Sequence, residues 1–342
     1  MVTNIDIVGA TGYTGQELID ILLNHPNVKI TGLYSATQEP KPISDILPSL
    51  RNRTDLICKK LDKKELVVDK SHVIFLALPH TYAMNVAADL LGAGKYVIDL
   101  SADYRLKATS VYEKLYKIKH KDKTNLSKAV YGLPEIYRQK IKNAKLIANP
   151  GCYPTAAILA LAPLVATDSI ELDSIIIDAK SGTTGAGKKT TEELQFSEID
   201  EDFKPYKVNI HQHMPEIEQE LSKLSGKNLK LVFVPHLLPL KRGILETIYV
   251  HTGAKSKPTT QGIISLYKKF YKSEPFVRIR KEADYPRLKD VVGTNYCDIA
   301  IGVFGKNIII VSAIDNLLKG ASGQAVQNMN IMLDYPEQMG LL

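Results

Sequence analysis

Cysteine and tryptophan are the residues that this sequence has least of. Its 342 residues include three cysteines and no tryptophan. Cys58, Cys152 and Cys297 lie far apart and form no CxxC pair, which argues against a disulfide framework and against a structural zinc site. A reducing, intracellular compartment would keep a nucleophilic thiol usable.

Long hydrophobic runs are missing as well. No apolar stretch approaches the roughly 20 residues needed to cross a bilayer. The opening "MVTNIDIVGA" enters a strand pattern without a basic segment or a cleavage site. The composition, 44% hydrophobic and 24% charged, is typical of a soluble globular protein. We therefore expect a cytoplasmic protein with no membrane partner.

Positive charge is in excess, with a formal net charge of +7. Part of the excess lies in the lysine-rich segment 105–128, which we interpret as a solvated surface. Arginines and stacking aromatics are not gathered as a nucleic-acid site requires, so we expect no nucleic-acid partner. A mildly positive field also suits anionic small molecules such as phosphates and carboxylates.

The first part of the chain alternates strands with helices. Predicted strands cover residues 4–9, 28–36, 72–79, 96–101 and 144–150, with helices predicted at 16–25 and 83–94. The continuous apolar run "HVIFLALP" is typical of a central parallel strand. The alternation predicts an α/β Rossmann domain, a doubly wound parallel sheet, over residues 1–150.

The pattern changes after a predicted helix at 155–165. Longer strands with few helices between them predict an α+β domain with a mostly antiparallel sheet over residues 151–317. A final helical pattern within 318–342 has Ala321, Ala325, Met329 and Met332 on one face. We expect this C-terminal helix to join the first domain.

A glycine-rich turn follows the first strand. Gly9, Gly12 and Gly15 come between that strand and the helix at 16–25, the context in which such a turn binds a dinucleotide. The helix N-terminus would hold the pyrophosphate, and Gly12 would let the backbone approach it closely. Because the spacing is GxxGxxG and not GxGxxG, a glycine-rich connection without a ligand is the alternative. The intervening positions assigned to the cofactor are Thr11, Tyr13 and Thr14.

The end of the second strand bears on the choice of cofactor. NAD sites usually place an acid there for the ribose 2′-hydroxyl. Here the strand ends in Ser35-Ala36-Thr37, and the first acid is Glu39. This favours NADP(H), whose 2′-phosphate an acid would repel. No arginine follows Ser35, and Lys41 is a weak candidate for the positive partner.

Cys152 lies in "NPGCYPT", between a predicted strand and an apolar helix. A structural cysteine would more often lie inside one of those elements. At a helix N-terminus, free N–H groups and the helix dipole favour the thiolate. The position therefore predicts a nucleophile.

Two histidines, His211 and His213, precede a helix that starts near Pro215. On a strand they would face the same way and could bind a metal, but no third ligand pattern is nearby, so we expect no metal site. They could also be surface residues. We favour a general acid/base beside Cys152, with His213 first and His211 second, since histidine titrates near neutrality.

A second glycine-rich loop, "KSGTTGAGKK", covers residues 180–189. It lacks the spacing of a Walker P-loop and could line a phosphate or the nicotinamide, or be a plain turn. Lys241 and Arg242 lie between two later strands. Arg242 could clamp a carboxylate or an acyl phosphate with its bidentate fork, although surface turns often carry such a pair.

Ten segments together resemble the N-acetyl-γ-glutamyl-phosphate reductases of arginine biosynthesis. They are "GATGYTG", "ALPHTYA", "IDLSADYRL", "YGLPE", "NPGCYPT", "SGTTGAG", "HQHMPEIEQ", "VPHLLPLKRGIL", "VGTNYCDI" and "SAIDNLLKGASGQAVQNMNIM". The resemblance runs from about residue 4 to residue 341. The glycine turn is shared with aspartate-semialdehyde dehydrogenases, whereas "NPGCYPT" and the last segment are far more specific.

The resemblance implies a catalytic domain of the glyceraldehyde-phosphate-dehydrogenase type, NADP(H), and a homodimer or homotetramer. Cys152 matches the family's nucleophile, and "HQH" matches the segment that supplies the catalytic histidine. Further positions assigned on these motifs are Asn149 for catalysis, Ser35, Pro79, Ser181, Gly182 and Asn316 for the cofactor, and Arg105, Glu216 and Arg242 for the substrate. Two positions depart from the family, which has arginine where Ala36 and Lys188 stand here.

The implied reaction is reduction of an acyl phosphate to an aldehyde through a Cys152 thioester. Backbone N–H groups at the helix start, helped by Asn149, would stabilise the oxyanion. A related reductase acting on aspartyl phosphate or a carrier-linked aminoadipyl phosphate is one alternative. A non-enzymatic NADP-binding regulator is another, against which the intact Cys152 and His213 argue.

Overall fold

The computed structural model describes residues 2–36, 40–167, 169–188, 191–254 and 256–342. The chain divides into two units. The first comprises Met1–Pro150 together with Ala321–Leu342, and the second comprises Gly151–Gly320.

The first unit begins with strands and helices in regular alternation. Its elements before Pro150 are β1 (Thr3–Val8), α1 (Tyr13–Leu22), β2 (Val28–Ser35), β3 (Lys41–Pro42), α2 (Ile43–Ile46), β4 (Ile57–Lys60), α3 (Lys63–Val68), β5 (Val73–Leu76), α4 (Ala87–Gly92), β6 (Tyr96–Asp99), α5 (Thr109–Tyr116), α6 (Lys123–Lys128), β7 (Val130–Tyr131), α7 (Pro134–Lys142) and β8 (Leu146–Ala148). Short 3-10 turns cover Pro48–Leu50 and Ala83–Asn85.

These strands form one eight-stranded sheet in the order β3-β4-β2-β1-β5-β6-β8-β7. Every adjacent pair is parallel except β3 with β4. Two hydrophobic clusters cover its two faces, one including α1 residues such as Leu18 and the other including α4 residues such as Leu90. The predicted doubly wound sheet is confirmed. The single helix predicted at 83–94 is a 3-10 turn followed by the shorter α4.

The lysine-rich segment at 105–128 is more than a solvated surface. It contributes α5 and α6, and buried polar groups anchor it. The Tyr104 hydroxyl donates to Asp122 at 2.7 Å, and the Tyr112 hydroxyl donates to Asp103 at 2.8 Å. A buried hydroxyl costs free energy unless it finds such a partner. These bonds therefore fix the segment against the sheet, while its lysines other than Lys107 remain exposed.

The second unit contains a long helix and a second sheet. Its elements are α8 (Cys152–Val165), β9 (Ile176–Ser181), α9 (Phe196–Ile199), β10 (Lys204–Pro205), α10 (Met214–Ser225), β11 (Val232–Leu237), β12 (Ile244–His251), α11 (Thr260–Phe270), β13 (Val277–Ile279), α12 (Leu288–Val291), β14 (Cys297–Phe304) and β15 (Asn307–Ile314). The seven strands follow the order β10-β11-β9-β12-β15-β14-β13.

Antiparallel pairing predominates in this second sheet, as the sequence predicted. The antiparallel pairs are β10–β11, β9–β12, β12–β15 and β14–β15, and the parallel pairs are β9–β11 and β13–β14. Helix α8 packs on one face of the sheet against β12 and β15. That packing supports the helix that carries Cys152.

Helix α8 stays continuous in spite of an internal proline. Pro163 has no N–H to donate to the carbonyl of Leu159, four residues earlier. The Tyr271 hydroxyl donates to that carbonyl at 2.6 Å, and Tyr267 donates to the next carbonyl, that of Ala160. Both tyrosines are buried and belong to the α11 region. The Tyr271 hydroxyl thus replaces the hydrogen bond that the proline removes.

The C-terminal segment returns to the first unit through a π-helical turn, Leu318–Ser322, and α13 (Gly323–Met332). Every residue of α13 is buried, including four amides. Asn328 donates to Gly132 at 2.8 Å and to Asn149 at 3.1 Å, and Gln324 donates to Gly132 at 3.0 Å. The helix is thus held by specific hydrogen bonds as well as by its apolar face.

None of the helices in the described residues combines the length and the apolar character required to cross a membrane.

Candidate active site

The glycine turn in the first unit is built for close backbone approach. Gly9 has φ +91°, and a Cβ there would lie 2.1 Å from the Ala77 carbonyl oxygen. A Cβ on Gly15 would lie 2.2 Å from the Gly9 oxygen. Gly12 is the N-cap of α1 in an extended conformation, and no side chain caps the helix. The turn therefore fits a pyrophosphate bound by the first-turn N–H groups.

The end of β2 adjoins this turn. The Thr11 hydroxyl lies 3.4 Å from that of Ser35, and both Gly9 and Ala10 donate their backbone N–H to the Tyr34 carbonyl. Tyr13 and Thr14 open α1, and Ser322 donates to the Thr14 carbonyl at 2.9 Å. Thr37 and Glu39, which bear on the choice of cofactor, lie outside the described residues.

The loop after β5 holds Pro79, which is exposed. Its neighbour Thr81 has φ +76°, a left-handed conformation that is uncommon for a β-branched residue. The Asp103 carboxylate accepts from the backbone N–H of Thr81 at 2.7 Å and from that of Met84 at 3.1 Å. Strain of this kind persists where surrounding contacts hold it, often at a ligand site. Asp103 thus positions the loop at the carboxyl end of β5.

Asn149 and Arg105 organise the strand end that leads to the cysteine. The Arg105 side chain is buried and donates to the Asn149 carbonyl at 2.7 Å and to the Leu100 carbonyl at 2.8 Å. The Asn149 side chain donates to the Ala321 carbonyl at 3.0 Å and accepts from Asn328. Both residues therefore make structural contacts here, and their predicted catalytic and substrate-binding roles stay predictions.

In the second unit, Cys152 is the first residue of α8, with Gly151 as its N-cap. The sequence placed it on the turn before the helix, so the helix starts earlier than predicted. Glu216, on α10, accepts from the Gly151 N–H at 2.9 Å and is buried. A Cβ on Gly320 would lie 2.9 Å from the Cys152 Cβ. Cys152 therefore lies at the N-terminus of α8, the positive end of the helix dipole, which favours the thiolate.

The two histidines lie in the turn before α10, and the expectation that they share a strand is wrong. The His213 backbone N–H donates to His211 Nδ1 at 3.1 Å. His211 Nδ1 is therefore unprotonated, and burial lowers the pKa of His211 to about 3. His213 is the N-cap of α10, and its ring lies 4.9 Å from that of His211. His211 is thus a neutral imidazole at physiological pH, which favours His213 as the acid.

Two tyrosines enclose the histidines. The Tyr153 ring lies 5.4 Å from the His211 ring and 6.0 Å from the His213 ring, and the Tyr206 ring lies 5.6 Å from that of His211. The two tyrosine hydroxyls are 3.0 Å apart. Burial, and to a smaller extent the charge of the Cys152 thiolate, raise the pKa of Tyr206 to about 12. Tyr206 therefore remains a neutral donor near the thiol.

The second glycine loop meets the turn between β11 and β12. Gly182 donates to the Gly243 carbonyl at 2.9 Å, and a Cβ on Gly182 would lie 2.8 Å from the Arg242 backbone N. Asn316 accepts from the Gly243 N–H at 2.8 Å. Ser181 ends β9 and is buried. The structure thus brings Ser181, Gly182, Arg242 and Asn316 together, as residues of a single binding site require.

Arg242 is held by a buried carboxylate. Its Nη2 lies 3.0 Å from Asp315 Oδ2, and Asp315 is fully buried. Asp315 also accepts from the backbone N–H groups of Gly293 and Leu317, each at 2.8 Å. Asp315 was not identified from the sequence, although "SAIDN" contains it. The contacts of Asp315 orient the Arg242 guanidinium. The Arg242 side chain is itself 25% exposed, so solvent reaches part of it.

Selective alkylation offers a direct check on the Cys152 thiol. Cys58 and Cys297 are fully buried, and burial raises the pKa of Cys58, whereas Cys152 is partly exposed. Iodoacetamide should therefore modify Cys152 at pH 6 well before the other two. Peptide mapping by mass spectrometry measures this. Equal modification of the three thiols at that pH would contradict an activated Cys152.

Comparisons with known proteins agree with this architecture. The family model described as "Semialdehyde dehydrogenase, NAD binding domain" matches residues 4–144, and "Semialdehyde dehydrogenase, dimerisation domain" matches residues 152–316. The fold is also that of an aspartate semialdehyde dehydrogenase from Candida albicans solved with NADP, at a TM-score of 0.71 and 16% identity over 97% of this chain and 99% of the other. Fold and site therefore define an oxidoreductase of the semialdehyde dehydrogenase class.

Curated relatives identify one family within this class of oxidoreductases. The chain is 50% identical to the N-acetyl-gamma-glutamyl-phosphate reductase of Desulfotalea psychrophila, over 98% of this chain and 97% of the relative. It is 46% identical to the enzyme of that name from Desulforudis audaxviator, over 99% and 97%. The chain belongs to the N-acetyl-γ-glutamyl-phosphate reductase family.

Proposed function

We propose that the protein reduces N-acetyl-γ-glutamyl phosphate to N-acetylglutamate 5-semialdehyde with release of phosphate, in arginine biosynthesis. The proposal rests on 46% and 50% identity to relatives of that name over nearly the whole chain. Cys152 at the start of α8 supplies the required chemistry, and it precedes Tyr153 of a cluster of two histidines and two tyrosines. A reducing compartment such as the cytoplasm would keep its three free thiols reduced.

NADP(H) is the proposed cofactor. The glycine turn fits the pyrophosphate because Gly9 and Gly15 leave no room for a side chain and no side chain caps α1. The 2′-phosphate fits the end of β2, where Ser35 and Ala36 present no acid. When bound, the reduced nicotinamide supplies the hydride.

Cys152 starts the reaction. Its thiolate attacks the acyl carbon of the substrate, the carbon–oxygen bond to phosphate breaks, and inorganic phosphate leaves, so that a thioester forms. The first-turn N–H groups of α8 stabilise the oxyanion of this step. Glu216 contributes by holding Gly151, so that the N-terminus of α8 keeps its orientation.

The thioester carbon then gains a hydride, and its oxygen gains a proton, to give a thiohemiacetal on Cys152. His213 donates the proton to that oxygen. When the oxygen loses the proton again, the carbon–sulfur bond breaks, and the aldehyde and the thiolate separate. His213 can perform both transfers because an imidazole ring nitrogen can donate or accept a proton. His211 accepts the His213 backbone N–H and so orients it.

A homodimer or homotetramer is the proposed assembly. The second unit matches the dimerisation-domain model. Its sheet carries α8 on one face, and its exposed side chains include Ile176, Val232 and Tyr249, each at least 40% exposed. Ile176 is opposite Val232 on one side and Tyr249 on the other, so the three form one exposed patch of the kind that a partner surface covers. Light scattering in solution distinguishes the two assemblies from a monomer.

The reverse reaction tests the function. With N-acetylglutamate 5-semialdehyde and phosphate, the protein should reduce NADP⁺, and omission of phosphate should abolish this because phosphate must cleave the thioester. NAD⁺ should be the poorer cofactor. Absorbance at 340 nm measures both. Faster turnover with aspartate semialdehyde would replace the proposed substrate, and no turnover with any semialdehyde would revive a non-enzymatic binding role.

A further inference from the structure

The register of the first sheet places a lysine beside Ser35. β4 pairs in parallel with β2, so that Leu33 is opposite Cys58, Tyr34 opposite Lys59 and Ser35 opposite Lys60. The Leu61 N–H continues the ladder by donating to the Ser35 carbonyl at 2.9 Å. Ser35 and Lys60 are each the last residue of their strand. Both therefore lie at the carboxyl edge of the sheet, where ligands of doubly wound folds bind.

Side-chain alternation decides which face Lys60 occupies. Leu33 and Cys58 are both fully buried in the hydrophobic cluster that includes α1. Residues two positions further along a strand point to the same face, so Ser35 and Lys60 share the α1 face. Thr11, in the glycine turn, lies 3.4 Å from the Ser35 hydroxyl on that face. Lys60 is itself exposed.

Other cations of this region are less well placed. Lys59 points to the opposite face and pairs with Glu65. Lys41 lies on β3, which is separated from β2 by β4, and its partner in register is Cys58. Arg53 pairs with Asp20 of α1, and Arg51 is exposed after the Pro48–Leu50 turn. Of the two lysines of β4, Lys60 is the one that lies in register with Ser35 and on the same face.

We propose that Lys60 binds the 2′-phosphate of NADP(H) and so takes the place of the arginine that the family has where Ala36 stands here. The assignment rests on the proposed function in that NADP(H) is the cofactor. An ammonium group is a point charge on a flexible stem, whereas a guanidinium offers a planar fork for phosphate. Strand β4 thus supplies a positive charge that the family otherwise has on the residue after β2.

Direct binding tests the assignment without turnover. The probes are adenosine 2′,5′-bisphosphate, which carries the 2′-phosphate, and adenosine 5′-monophosphate, which lacks it, titrated calorimetrically into the full-length protein. Lys60→Gln should weaken binding of the bisphosphate by about 10- to 150-fold, the range for one hydrogen bond to a charged group. Binding of the monophosphate should change little. Lys60→Arg should restore bisphosphate binding, and Lys59→Gln, the matched control, should leave both affinities unchanged.

Three results would overturn the assignment. One is an unchanged bisphosphate affinity in Lys60→Gln. Another is a larger, bisphosphate-specific loss in Arg51→Gln. The third is equal weakening of both ligands in Lys60→Gln, which would mean that the adenosine pocket itself is distorted. Failure of the proposed function is separate: the wild-type protein would then bind the bisphosphate but oxidise no semialdehyde.

Discussion

Cys152→Ser is expected to lower kcat by at least about 10³-fold, because it removes the nucleophile on which both chemical steps depend. A serine hydroxyl lacks the low pKa that lets a thiol ionise at the start of α8. Any oxygen ester that it did form would be a poorer hydride acceptor than a thioester. Phosphate-dependent NADP⁺ reduction, followed at saturating semialdehyde, measures the loss.

NADP⁺ binding serves as the control for this variant. The glycine turn at residues 9–15 belongs to the first unit and Cys152 to the second, so titration of NADP⁺ should give an unchanged Kd. Cys58→Ser removes a buried thiol elsewhere and should keep most of the turnover. A Cys152→Ser protein with full turnover would leave the thioester without support.

The fold followed from the sequence where hydrophobic period and turn residues agreed. The run "HVIFLALP" predicted the central strand β5, and the glycine turn marked the passage from β1 to α1. The start of α8 was predicted three residues late. Pro154 is compatible with the earlier start, because a proline in the first helical turn removes only an N–H that has no partner there.

Buried polar groups account for the elements that the sequence did not predict. Helices α5 and α6 lie in a lysine-rich stretch whose anchors are Tyr104, Tyr112 and Asp122. Composition shows the exposed lysines, but the pairing of a hydroxyl with a carboxylate elsewhere in the chain is a property of the folded state. The same holds for α13, whose apolar face was predicted and whose buried amides were not.

The residues of the candidate site likewise comprise some that the sequence identified and some that it did not. Cys152, the two histidines and the glycine turn were identified because their residue types and spacing carry the chemistry. Asp315 and Gly320 were not, because they act by holding Arg242 and by giving room to Cys152. Lys60 was missed for a third reason. Its place beside Ser35 depends on strand register, and the two residues are far apart in the sequence.

His213→Asn is expected to lower kcat by about 10²–10⁴-fold, the usual contribution of a general acid. His211→Asn should do less, and chiefly through KM. The reason is the protonation state of the His211 ring. His211 Nδ1 accepts the His213 backbone N–H, and burial lowers the pKa of His211 to about 3, so this ring carries no extra proton at neutral pH. It can orient His213 but is a poor proton donor.

The pH dependence separates the two histidines further. Because the folded-state pKa of His211 lies below its ordinary value of 6.5, unfolded chains take up its proton first as the pH falls. His211 therefore contributes stability that is present above pH 6.5 and is lost as the pH falls toward about 3. Thermal unfolding of His211→Asn should accordingly be less acid-sensitive than that of the wild type. His213→Asn should instead alter the kcat–pH profile, because it removes the proposed proton donor. If His211→Asn proved the more damaging to kcat, the two roles would be reversed. If neither change reached about tenfold, the proton would have to come from a group other than these histidines.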